Sequence, residues 1–213
     1  MRHFQFIFVI GFLVATLTSC STLKVKTMNY SDDVFAESPF IKHEGTAPFQ
    51  SYLAMNLPAL PFQALRLNLE SYLPPKEKLL HRDDAHITVV TPPEFEKILK
   101  KHMTIQEIND IAEKMGIQKT PYKPLCIGTG RVSIDGDEQR TYYVVMEASG
   151  LFKIRKAILD LYISRGGKAK DFDVDLFFPH VTLGYTKRDL HYEDGVVKDA
   201  TSCKVTLVKS PSP

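Results

Sequence analysis

The sequence predicts an α+β fold, on three observations. Short β-prone runs and amphipathic helical stretches intermix along the chain, two of the runs flank a tight turn as hairpin strands do, and dense apolar patterning is confined to residues 49 to 208. A uniformly parallel α/β sheet would have no such hairpin. With 44% hydrophobic and 24% charged side chains among 213 residues, the composition is that of a folded domain rather than a disordered or collagen-like chain. The length suits one domain of roughly 150 residues plus a tether, not two full domains. The formal charge is only +2, so no strong global field draws the chain to nucleic acid or anionic lipid. An anionic ligand must therefore be held locally.

The elements follow in order. Gln50 to Leu57 alternates imperfectly and reads as a strand stopped by Pro58 and Pro61. Leu65, Leu69 and Tyr72 fall at helical spacing, which predicts a helix over about 62 to 73, ended by Pro74-Pro75. Ala85 to Val90 is a short β-branched strand, and Glu94 to Lys101 beyond Pro92-Pro93 reads as helical. Thr104 with Glu107 three residues later is a capping-box pattern; the helix it opens places Ile105, Ile108, Ile111, Ala112 and Met115 on one face and stops at Gly116. Leu125 to Ile134 and Thr141 to Ala148 flank Asp135-Gly136-Asp137, a hairpin signal. Leu151, Ile154, Ile158, Leu161 and Tyr162 mark a helix ending near Gly166-Gly167, and the last strands are Val181 to Tyr185 and Lys204 to Val208.

Before this domain, Arg2 and His3 precede an apolar run from Phe4 to Leu17 that is shorter than the about 20 residues a membrane span needs. The run ends in Leu17-Thr18-Ser19-Cys20, which resembles a bacterial lipoprotein signal. That resemblance implies cleavage after residue 19, acylation of Cys20 and anchoring to a membrane surface. Ser21 is not the aspartate associated with inner-membrane retention, so it implies the outer membrane facing the periplasm in a cell that has one. Residues 20 to 48 show no sustained period and read as a tether; 209 to 213 read as a tail.

His86-Ile87-Thr88-Val89 and His180-Val181-Thr182-Leu183 are the most informative segments. In a strand, residues i and i+2 share a face, so each segment offers an imidazole and a hydroxyl to one surface. One such tetrapeptide is an ordinary strand with a hydrogen-bonded histidine; two in one chain are hard to reach by chance. With Phe178-Pro179 before the second motif and Gly184-Tyr185 after it, the chain resembles the two-histidine (2H) phosphoesterase superfamily, which includes 2′,5′-RNA-ligase-like proteins and cyclic nucleotide phosphodiesterases. The resemblance spans about residues 49 to 208 and rests on the two tetrapeptides and their order.

It implies two pseudosymmetric lobes with antiparallel sheets around a central cleft, with His86 and His180 as the catalytic acid and base and Thr88 and Thr182 binding substrate phosphate. One imidazole deprotonates the attacking oxygen, the other protonates the departing one, and the hydroxyls donate to non-bridging oxygens. No cofactor and no metal is needed. The implied substrate is a cyclic or 2′-linked phosphodiester of a nucleotide or RNA end, and no stable protein partner is implied. The competing reading is a non-catalytic phosphate- or nucleotide-binding envelope lipoprotein that keeps the cleft.

Other candidates are weaker. Cys126 and Cys203 sit in predicted strands, and buried free thiols are the plainer expectation over a bridge. His81, Asp83, Asp84 and His86 cluster in sequence but match no metal-binding spacing. Gly128-Thr129-Gly130 lacks the further residues of a dinucleotide or phosphate loop. Arg131, Lys168, Lys170, Lys187 and Arg188 read as solvated surface rather than phosphate ligands, and Phe177 and Phe178 as core. Tyr185 is a candidate substrate contact only if a bend overcomes its strand parity, which is opposite to that of His180.

Overall fold

Each His-x-Thr tetrapeptide folds as the return strand of a strand-helix-strand unit. A computed structural model describes residues 23–74 and 77–211. In the first unit β2 (Leu53–Leu57) leads through α1 (Ala59–Glu70) to β3 (Ala85–Val90), which pairs antiparallel with β2 so that Asn56 faces His86. In the second, β5 (Asp137–Glu147) leads through α4 (Ser149–Ser164) to β6 (His180–Tyr185), which pairs antiparallel with β5 so that Val145 faces His180. The two units give an α+β molecule with two lobes of unequal size: a two-stranded sheet β2-β3, and a five-stranded sheet in the order β1-β7-β4-β5-β6. Here β1 is Thr27–Tyr30, β4 is Lys123–Ile134 and β7 is Cys203–Lys209. Two further helices, α2 (Pro92–Lys97) and α3 (Ile105–Lys114), lie between the units.

Strand parity positions the motifs. Ala85, Ile87 and Val89 of β3 and Val181 and Leu183 of β6 are buried, so His86, Thr88, His180 and Thr182 take the other faces. Burial of Ile87 and Val181 stabilises each register by roughly 1.5–3 kcal/mol per side chain, and a slip of one residue would turn the histidines into the core. The core beneath is completed by Phe62, Leu65 and Leu69 of α1 and Leu151, Ile154 and Ile158 of α4.

The lobes are stitched where the segment before β3 meets the end of β6: Leu80 N–H donates to the Tyr185 carbonyl at 2.8 Å and Tyr185 N–H to the Leu80 carbonyl at 2.9 Å. Gly184 permits this approach, because a Cβ there would lie 2.8 Å from Leu79 Cβ and 3.0 Å from the Leu80 oxygen. The hairpin turn falls where expected, with positive φ at both Asp135 (52°) and Gly136 (79°). The expected capping box of Thr104 with Glu107 closes reciprocally on α3, and Thr91 with Glu94 forms another on α2.

Two expectations are corrected. Residues 27 to 48, read as tether, belong to the folded unit. Strand β1 pairs parallel with β7 (Thr27 opposite Thr206), so the larger sheet is not wholly antiparallel, and Met28, Tyr30 and Val34 are buried. The stretch beyond is held by hydrogen bonds from Ile41 N–H to the Asn56 side chain and from Gln118 Nε2 to the Ser38 carbonyl. Secondly, Cys126 on β4 and Cys203 on β7 form a disulfide with Cα atoms 5.7 Å apart, rather than remaining free thiols. Parity put both residues in strands but could not say that the strands are neighbours.

Because the bridge closes a 77-residue separation, Cys126→Ser is expected to lower unfolding stability by about 2–4 kcal/mol. Urea midpoints of the oxidised and variant proteins check this, and coincident midpoints would contradict it.

Candidate active site

The first motif is built around an imidazole hydrogen-bonded to a carboxylate. His86 Nδ1 lies 2.8 Å from Oδ2 of Asp84, the residue just before β3. An ionised carboxylate only accepts, so Nδ1 donates, and Nε2 is the nitrogen left without a protein partner among the described residues. The hydrogen bond from His86 holds the Asp84 carboxyl below its usual range, against burial that pushes the other way. His43 and Tyr52 stack face to face at 4.1 Å and lie 6.1 and 5.8 Å from the His86 ring. Burial first, and then the His86 charge, lower the affinity of His43 for a proton. The Thr88 hydroxyl lines the same cleft and has no protein partner among the described residues.

The second motif is built differently. His180 Nδ1 is 2.6 Å from the Phe178 carbonyl, which can only accept, so the proton sits on Nδ1 and the Nε2 lone pair receives Lys198 Nζ at 3.2 Å. Lys198 also donates to Asp189 Oδ1 at 2.9 Å, and the two Asp189 oxygens accept from Thr141 (2.7 Å) and Thr182 (2.9 Å). The Lys198 side chain is only 3% exposed. Burial, and after it the neighbouring ammonium, push His180 far below the ordinary imidazole value. Burial also lowers Lys198, with Asp189 opposing; burial works against the Asp189 carboxylate, yet Lys198 and His191 keep it ionised well below the usual range. The ring of Tyr143 lies edge-on to His180 at 5.8 Å and beneath Lys198 at 5.3 Å.

Both motifs open on one cleft of about 880 Å³, lined by His86, Thr88, His180 and Thr182 together. The family model described as Swiss Army Knife, 2H phosphoesterase domain, matches residues 51–191. The chain belongs to the 2H phosphoesterase family. Among curated proteins nothing matches. The matched span holds both tetrapeptides and Asp189 of the 2H domain but stops before Lys198.

The remaining sequence candidates divide sharply. Tyr185 is not among the residues lining the 2H cleft, although the β5–β6 pairing does carry a register shift between Tyr142 and Tyr143: it stands at the far end of β6 from His180, where its backbone pairs with Leu80. Phe177 is buried as expected, but Phe178 is a cleft wall stacked on Tyr192 at 6.0 Å rather than core. Arg131, Lys187 and Arg188 pair with Glu138, Asp137 and Asp194, and none of these nor Lys168 or Lys170 reaches the cleft. Asp84 is spent on His86, and among the described residues no three His, Cys, Asp or Glu side chains converge as a metal site requires. Cys20 lies outside the described residues.

Thr182 departs from its expected role. A hydroxyl has one proton, and that of Thr182 is given to Asp189, so of the two motif hydroxyls it is that of Thr88 that is free to donate to a ligand. Sequence reasoning missed Lys198, Asp189, His191, His43 and Tyr52. Asp84 alone carried a signal, since it stands two residues before His86.

Proposed function

We propose that the protein hydrolyses a cyclic, 2′,3′-type, or 2′-linked phosphodiester at a nucleotide or RNA end, with His180 as general base, His86 as general acid and Thr88 on the phosphate. The observation that carries this is the inequivalence of the two imidazoles on one cleft: His180 presents a lone pair at Nε2 while His86 is backed by a carboxylate at Nδ1. A water attacking phosphorus gives its proton to His180, and the departing ribose oxygen takes one from His86; the P–O bond to that oxygen breaks as the new one forms. The cleft walls support a single phosphodiester rather than a long polyanion. Glu44, Asp84 and Glu193 line them beside Arg82, Arg155 and Lys198, and two of these three cations are ion-paired, so the described residues form no cationic track.

The competing reading, a phosphate- or nucleotide-binding protein without turnover, is favoured by one observation, the contact of Lys198 with the very nitrogen His180 would use. Incubation with 2′,3′-cyclic nucleotides, 2′-linked dinucleotides and 3′,5′-linked controls in excess chelator separates the two. Hydrolysis confined to the first two classes supports the phosphodiesterase. Binding without product supports the alternative, and a rate abolished by chelator and restored by a divalent cation contradicts the metal-free route.

We further propose that the chain is an exported lipoprotein acylated at Cys20 and held at the outer membrane. The lipobox-like Leu17-Thr18-Ser19-Cys20 and the Cys126–Cys203 disulfide support this, since disulfides persist in oxidising compartments. No helix among the described residues is long and apolar enough to cross a membrane, so the lipid would be the anchor. Cys20→Ser is expected to release the protein from membranes or block its maturation, and continued acyl labelling of that variant would reject the site.

A further inference from the structure

Resting on the phosphodiesterase reading, we propose that Lys198 is the phosphate-receiving cation of this cleft, and that in the empty site it keeps His180 in its base form by donating to Nε2. Three observations bring this about. Lys198 is buried, yet it lines the cleft beside His180, Thr182 and Asp189. Its ammonium has three protons, of which His180 and Asp189 account for two, so the third can engage an entering ligand before the contact with His180 is given up. The hydroxyl expected to hold phosphate on this side, Thr182, has already given its proton to Asp189. The second motif therefore needs another donor, and Lys198 is placed to be it.

The parts work in sequence. Asp189 is a positioning residue: Thr141 and Thr182 orient it, and it holds the ammonium 2.9 Å away while opposing the burial that would neutralise Lys198. When a phosphodiester enters, the ammonium keeps Asp189 and exchanges its contact with His180 for a non-bridging phosphate oxygen. That exchange frees Nε2 to take the proton of the attacking water, at the moment when charge on the phosphoryl oxygens needs a cation. The base is thus unmasked only by the ligand it acts on. The other charged or titratable groups bearing on His180 are Asp189 and His191 from the segment after β6 and Tyr143 from β5. Arg82, Asp84 and His86 line the cleft from the other lobe.

The test uses the full chain in detergent, with ¹³C-labelled histidine to follow the protonation of His180 and inorganic phosphate as the probe. Lys198→Met could leave Asp189 buried without its cation and fail to fold, so Lys198→Met/Asp189→Asn, which removes both charges together, is measured beside it, with Lys198→Arg as the conservative variant. Removing the ammonium is expected to raise the His180 protonation midpoint by about one pH unit or more and to weaken phosphate about tenfold or more, with Arg restoring part of both. An unchanged midpoint overturns the hold on the base; unchanged phosphate affinity, or no phosphate binding by the wild type, overturns the cation's role. Both effects present without turnover of any cyclic phosphodiester would leave Lys198 standing and remove the phosphodiesterase instead.

Discussion

Alanine at His86 or at His180 is expected to lower turnover of a cyclic phosphodiester about 100-fold or more, with Thr88→Ala losing less. The two losses should be similar, because one proton transfer is lost in each case, and the double variant should be little worse than either single one. The pH profile carries the sign of the assignment. His180 must be unprotonated to accept, and burial together with Lys198 holds it far below the ordinary imidazole value of 6.5. The acidic limb of the rate should accordingly lie well below 6.5, with activity persisting in mildly acidic buffer and falling only as His180 at last gains a proton. His180→Ala should abolish that limb. Steady-state kinetics across pH checks both parts, and a profile whose acidic limb is unmoved in His180→Ala contradicts the base assignment.

The second large effect is on folding. Arg155→Met is expected to destabilise the protein by about 3–5 kcal/mol, because it leaves the Glu94 carboxylate without its cation and strands three carbonyl groups. The Arg155 guanidinium donates to the carbonyls of Val89, Asp173 and Val174 and to both oxygens of Glu94, with its side chain 1% exposed. One side chain on α4 thereby ties the end of β3, the capping box of α2 and the segment running into β6. Phe172 and Phe177 cover its guanidinium at 4.5 and 5.2 Å. Adding Glu94→Gln should recover part of the loss. Urea unfolding measures both variants, and a loss under about 1 kcal/mol for Arg155→Met would show that the clamp is dispensable.

What was legible in the sequence was what local rules dictate. Period-two alternation around Ile87 and Val181 put each histidine and its threonine on one face, Thr104 with Glu107 opened α3, and Asp135-Gly136 turned the hairpin. The strand β1 was not legible: four residues leave too little alternation to see, and its partner β7 lies at the opposite end of the chain. The Cys126–Cys203 bridge was hidden for the same reason, since neighbouring strands are a property of topology and not of spacing. Lys198 stands in an irregular loop with no motif around it, and only the burial of its ammonium between His180 and Asp189 gives it meaning. Arg155 looked like any charged residue on an amphipathic helix, although the helix buries it.

Whether both His-x-Thr pairs act on one phosphorus can be seen in a crystal structure of the protein with a nucleoside vanadate, a mimic of the phosphoryl-transfer geometry. Vanadium is expected in the cleft between Nε2 of His86 and Nε2 of His180, with the Thr88 hydroxyl donating to one of its equatorial oxygens. Vanadium bound by one histidine alone, or seated outside the cleft, would contradict it.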